Sequence, residues 1–192
     1  MTARQPVTPS RKAAVFLDRD GVLNRAVVRE GRPHPPDDLA SLEVLPGAAE
    51  ACSTLRAAGF LLIVVTNQPD IARGTRTREE VDTINRRLSE MVPVDEFRVC
   101  PHDDADRCEC RKPSAGLLLA AARERGLDLP HSVMVGDRWR DVEAGKRAGC
   151  WTVFVDHGYS ERRPEAPDLT VRSLGDAVPW ILATAAKERV SA

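Results

Sequence analysis

Short apolar runs alternate with amphipathic stretches along most of this chain, and that alternation sets the first expectations. Residues 13–17 (AAVFL) are too few for a helix and give way at once to a polar cluster, so they read as a strand. Residues 60–66 (FLLIVVT) form a longer, β-branched run of the kind found where a strand is covered on both faces. Residues 132–136 and 151–155 repeat the signal, and 97–100 and 169–171 are weaker instances. Helical spacing marks 47–58, 77–91, 115–125, 139–148 and 174–187. Gly59, Gly126 and Gly149 follow three of these stretches where a left-handed cap would close a helix. Thr77 and Glu80 have the spacing of a capping box. Strand and helix in alternation predict an α/β fold, a doubly wound, Rossmann-like parallel sheet with helices on both sides. Residues 13–187 are expected to form a single domain behind a flexible tail over 1–12.

Composition narrows the classes. The 192 residues are 42 % hydrophobic, ordinary for a globular protein with one substantial core. A formal net charge of −1 argues against a nucleic-acid binder acting through bulk electrostatics. No apolar run approaches the roughly 20 residues that span a bilayer. The opening MTARQPVTPSRK lacks the apolar core of a secretory signal. The expectation is a cytoplasmic monomer with a small-molecule substrate and neither nucleic acid nor membrane as partner.

In such a sheet, ligands sit beyond the carboxyl ends of the central strands. Asp18 directly follows the first apolar run, Thr66 ends the second, and Asp137 follows VMVG. These three polar residues should therefore converge on one edge. Asp20, two positions after Asp18, lies on the same turn. Alone, D-x-D-G could be no more than a tight turn. TNQ at 66–68 and GDRWRD at 136–141, each beginning where a strand stops, make it more than that.

With DRDGVLN at 18–24, Thr66 in VVTNQ, Lys112 in CRKP and GDRWRD at 136–141, the chain resembles the haloacid dehalogenase superfamily, motif by motif and in order. The resemblance implies that superfamily's sheet with little or no cap, since residues 24–46 and 66–100 leave no room for a large one. It also implies a phosphatase that uses Asp18 as nucleophile and Asp20 as general acid, then general base. Asp18, the backbone carbonyl of Asp20 and Asp137 would hold Mg²⁺, with Asp141 one step further out. Thr66 and Lys112 would bind the phosphoryl oxygens. A phosphometabolite-binding protein without turnover is the contrasting class. It would have no use for an acid/base beside a nucleophile.

Three of the five cysteines, Cys100, Cys108 and Cys110, fall close together with His102 among them. Three thiolates and one imidazole suit a closed, tetrahedral Zn²⁺ site. The residues between them, rich in Asp, Ala and Arg, cannot build a core, so metal is expected to fold the loop at 100–110. Cys52 and Cys150, in apolar stretches, read as buried small hydrophobes. The C-x-H…C-x-C loop resembles subfamily IIIA, a branch acting on heptose bisphosphate or on histidinol phosphate. IARG at 71–74 favours the sugar bisphosphate, whereas the five-residue gap between His102 and Cys108 favours histidinol phosphate. Pro69-Asp70 departs from the Ser-Gly pair expected there. The heptose substrate, hence a place in carbohydrate metabolism, is the preferred reading. The resemblance further assigns Asn67, Arg111 and Arg138 to substrate, with Arg111 offering a guanidinium to a second phosphate. Arg29 is a lesser candidate, and His34, His131 and His157 have no motif context.

Overall fold

The computed structural model describes residues 12–184. The tail before residue 12 and the expected end of the last helix at 185–187 lie outside the described residues. Six strands form one parallel sheet: β1 (Ala14–Leu17), β4 (Leu61–Asn67), β5 (Glu96–Cys100), β6 (Val133–Gly136), β7 (Trp151–Val155) and β8 (Leu169–Val171). Their order is β5-β4-β1-β6-β7-β8, so the chain first builds outward on one side of β1 and then crosses to the other. β1 pairs with β4 and with β6, which puts the ends of all three strands next to one another.

The apolar runs are apolar because both faces are covered. Val15 and Leu17 of β1 pack into one core, while Ala14 and Phe16 pack into another. Helices α1 (Ala48–Ala57) and α5 (Leu174–Thr184), with Leu88 of α2 (Arg78–Met91), cover the first face. Helices α3 (Gly116–Arg125) and α4 (Trp139–Ala148) cover the second. Cys52 and Cys150 are buried in these cores. The capping box at Thr77 is formed, with Glu80 bonding back to the Thr77 backbone. Gly126 and Gly149 close α3 and α4 in left-handed conformation.

One element was not legible in the apolar pattern. Within the span 24–46, β2 (Val27–Arg29) and β3 (Arg32–His34) pair antiparallel as a separate hairpin. Glu30 and Gly31 turn it with φ of 50° and 73°, the doubly left-handed geometry that matches strand twist. The hairpin is all that stands where a cap domain could have been inserted.

Candidate active site and metal-binding loop

The carboxyl ends of β1, β4 and β6 open into a cavity of about 570 Å³ lined by Asp18, Asp20, Thr66, Lys112 and Asp141, among others. The Asp18 N–H donates to the Val135 carbonyl at 2.9 Å, which extends the β1–β6 pairing by one residue and fixes where its carboxylate starts. Asp137 begins the turn from β6 into α4, and Asp141 lies in the first turn of that helix. Carboxylate oxygens of Asp18, Asp137 and Asp141 all lie within 4.8 Å of one another, and all three residues are buried. Two glycines permit the approach. A Cβ on Gly21 would strike the Asp137 carboxylate, and one on Gly136 would overlap the Asp141 side chain.

Three buried carboxylates are balanced by one buried ammonium. Lys112 Nζ lies 2.8 Å from Asp18 and 2.6 Å from Asp141, and donates to the Val65 carbonyl at 2.8 Å. Burial pulls the lysine pKa down, but Asp141 and Asp18 outweigh it, so the ammonium stays charged. Burial, helped by Asp141 and Asp20 and opposed by Lys112, pushes Asp18 up to about 6. Asp137 is driven well above the carboxylate range, by burial first and then by Asp18 and Asp141. Neither of its oxygens makes a hydrogen bond of ordinary geometry to the described residues, and the nearby Tyr159 hydroxyl only partly offsets the upward shift. Such orphaned acceptors are costly. A divalent cation would satisfy them and cancel the excess negative charge, so the residues present fit one. Asp141 is the best satisfied of the three, its oxygens taken by Lys112 and by the Arg138 N–H.

Asp20 lines the same cavity but has its own set of partners. Its carboxylate accepts from Arg19 Nε and Nη2, Asn24 Nδ2 and Gln68 Nε2 at 3.0–3.2 Å. Burial alone would raise its pKa, but Arg19 and these hydrogen bonds reverse the sign and hold it below the ordinary value. Gln68 also donates to Thr66 Oγ1 at 2.9 Å, leaving the threonine hydroxyl hydrogen free for an oxygen in the cavity. Arg19 itself is fully buried and reaches Asn85 on α2 at 2.9 Å. Neither Arg19, Gln68 nor Asn85 was singled out by sequence. Arg19→Ala would leave the buried Asp20 without its counter-charge and Asn85 Oδ1 without its donor. It should cost about 3–5 kcal/mol of stability, measurable by urea unfolding; a loss under ~1 kcal/mol would contradict this packing.

The three residues assigned to substrate all reach the cavity wall, with most of their polar groups already engaged. Asn67 bonds the Lys112 backbone in both directions, at 3.0 and 3.1 Å, and so holds the lysine-bearing loop. Arg111 donates through Nε to Asp104 at 2.8 Å and through Nη1 to the His102 carbonyl at 3.1 Å. Arg138 is gripped by Glu161, which was not anticipated and which lies on the segment after β7. Arg29 pairs with Asp37 at 2.5 Å and does not line the cavity. Of the histidines set aside, His34 lines the cavity and His157 Nε2 lies 2.7 Å from the Gly21 carbonyl.

Beside the cavity, Cys100, His102, Cys108 and Cys110 gather their ligand atoms within 4.8 Å. The sulfurs lie 3.1–3.6 Å apart, and His102 Nδ1 is 3.2 Å from Cys110 and 3.7 Å from Cys100. Bonds of about 2.3 Å to sulfur and 2.0–2.1 Å to nitrogen give tetrahedral edges of about 3.8 Å (S–S) and 3.5 Å (S–N), which the cluster reaches with an outward shift of a few tenths of an ångström. The donor set therefore fits a four-coordinate soft cation. Ion pairs also tie the loop down: Asp103 to Arg73 at 2.6 Å, and Asp104 to Arg111 and Arg140 at 2.8 and 2.9 Å.

Comparison with known proteins agrees with this arrangement. A family model described as HAD-hydrolase-like matches residues 109–177. A protein of Thermosynechococcus vestitus named D-glycero-D-manno-heptose-1,7-bisphosphate 7-phosphatase is 35 % identical over 193 residues, covering 88 % of this chain and 95 % of that protein. Among solved structures, a HAD-like phosphatase from Mesorhizobium loti superposes with a TM-score of 0.76 at 32 % identity, covering 98 % of this chain and 94 % of that one. The D,D-heptose 1,7-bisphosphate phosphatase of B. bronchiseptica, solved with magnesium and phosphate, gives a TM-score of 0.72 at 28 % identity, covering 89 % and 98 %. Identity at this level across nearly the whole chain places it: the chain belongs to the haloacid dehalogenase-like phosphatases.

Proposed function

We propose that this phosphatase depends on Mg²⁺ and removes the C7 phosphate of D-glycero-D-manno-heptose 1,7-bisphosphate through an aspartyl phosphate on Asp18. The observation that carries the reading is the buried triad of Asp18, Asp137 and Asp141 around Lys112, with neither Asp137 oxygen in a hydrogen bond of ordinary geometry. The name of the 35 %-identical relative supplies the substrate. Asp18, the Asp20 carbonyl and Asp137 are the protein ligands we assign to Mg²⁺. Bound there, the cation would offset repulsion between an anionic nucleophile and an anionic phosphate. Asp18 attacks phosphorus, while Lys112 and the Thr66 hydroxyl hold the equatorial oxygens. Asp20 gives its proton to the departing alkoxide and then takes one from the water that cleaves the acyl phosphate. Its four donors favour the carboxylate, so it must leave part of that network to carry a proton. Asn67, Arg111 and Arg138 shape the wall against which the sugar rests. Cys100, His102, Cys108 and Cys110 are assigned to a structural Zn²⁺.

Phosphate release from the heptose bisphosphate, measured beside histidinol phosphate with Mg²⁺ present, tests the substrate. A higher kcat/KM on histidinol phosphate would replace the sugar assignment. The cation assignment makes a separate prediction. Without metal, Asp18 at about 6 is largely protonated at pH 5 and must release its proton to bind a cation, and Asp137 is shifted in the same direction. Mg²⁺ should therefore raise the unfolding temperature clearly at pH 8 and hardly at pH 5. Equal shifts at both pH values would place the ion elsewhere.

A further inference from the structure

Six arginines line the active-site cavity: Arg32, Arg73, Arg111, Arg138, Arg140 and Arg162. Five are already answered by carboxylates. Asp103 takes Arg73 through Nε and Nη2, Asp104 takes both Arg111 and Arg140, Glu161 takes Arg138, and Glu165 takes Arg162. Arg111, the residue the sequence offers to a second phosphate, is engaged at all three nitrogens. Its Nε and Nη1 are bonded, and its Nη2 lies 3.9 Å from Asp103. The Arg32 side chain alone among the six has no ion pair or hydrogen bond to the described residues.

Arg32 is also held in place by its backbone. It opens β3, and His34, two positions on and therefore on the same side of the strand, lines the cavity with it. The hairpin tip is tied to the segment after β7 by a 2.8 Å bond from Ser160 N–H to the Gly31 carbonyl. Its far end is tied by Arg76, which donates to the Pro36 and Asp37 carbonyls at 2.8 and 3.0 Å. Across the hairpin, Arg29 faces Arg32 and is neutralised by Asp37, so the charge left over is that of Arg32.

We propose that Arg32, assisted by His34, is the receptor for the substrate phosphate that is not cleaved. A guanidinium with an unoccupied fork can take two oxygens of one phosphate, while the other five would have to abandon a carboxylate first. The inference rests on the bisphosphate reading, and it moves the specificity determinant from the zinc-binding loop to the hairpin. The substitutions to compare are Arg32→Gln, Arg32→Lys and Arg111→Gln. Each is assayed on heptose 1,7-bisphosphate and on heptose 7-phosphate. Wild type should prefer the bisphosphate. In Arg32→Gln the ratio of kcat/KM between the two substrates should fall about 10–100-fold, through KM for the bisphosphate, and Arg32→Lys should restore part of it. A preference that survives Arg32→Gln, or one erased by Arg111→Gln instead, overturns the assignment. Absence of any preference in wild type would remove the bisphosphate reading itself, and this inference with it.

Discussion

Asp18→Asn should abolish turnover, lowering kcat by on the order of 10⁴–10⁶, while leaving the protein folded. The amide keeps the shape of the carboxylate but cannot form the acyl phosphate, and no other group in the cavity is placed to substitute for it. Unaided phosphate monoester hydrolysis is among the slowest reactions known, with enzymes accelerating it by up to ~10²¹-fold. Residual catalysis from Lys112 and Thr66 would therefore be invisible in an ordinary assay. The same variant carries a stability signature of opposite sign. The folded pKa of Asp18 is raised to about 6, so its carboxylate destabilises the metal-free fold above that pH, and the penalty disappears below the unfolded value. Metal-free Asp18→Asn should thus melt higher than wild type at pH 8, with the gap closing below pH 4. Retained activity, or a lower melting temperature at pH 8, would contradict the assigned environment.

Cys108→Ser should release the loop at 100–110 and, with it, the geometry of Arg111 and Lys112. Two kinds of interaction hold that loop, and their magnitudes differ. Each of the Arg73–Asp103, Arg111–Asp104 and Arg140–Asp104 pairs has one well-exposed partner, and pairs of that kind contribute about 0–1 kcal/mol each. A structural zinc contributes about 10–16 kcal/mol of apparent binding energy in small domains. Zinc therefore dominates if the four ligands hold it. The purified protein should contain about one equivalent, lost in Cys108→Ser, with activity falling about 10–100-fold. Hydrogen exchange should become fast over the loop while β1, β4 and β6 remain protected. A zinc-free protein with full activity and a protected loop would show that the arginine pairs suffice.

The sheet was legible because its strands are buried on both faces, which forces continuous apolar runs such as LIVV in β4. The site was legible for a related reason. Asp18, Thr66 and Asp137 each stand where such a run ends, and parallel pairing brings those ends together. The hairpin was hidden because its two strands are short and largely exposed, and because Pro33 in β3 speaks against a strand. Its turn uses Glu30-Gly31 rather than the more readable Asn-Gly or Asp-Gly. Arg19 was missed because its partner Asn85 is 66 residues away and on another element. Glu161 escaped for the same reason, 23 residues beyond Arg138. The engagement of Arg111 did leave a trace, the acidic DDAD between His102 and Cys108. Three like charges in a loop bordered by arginines invite pairing, and that pairing withdraws Arg111 from the free cations of the cavity.

The proposed chemistry depends most on a cation held by Asp18 and Asp137 with phosphorus delivered to Asp18. A crystal structure of the protein with Mg²⁺ and beryllium trifluoride tests both parts together. It should show one ion about 2.1 Å from oxygens of Asp18 and Asp137, with the fluoride adduct on the other Asp18 oxygen and Lys112 and Thr66 on its fluorines. An ion bound away from these aspartates, or an adduct on any other side chain, would contradict it.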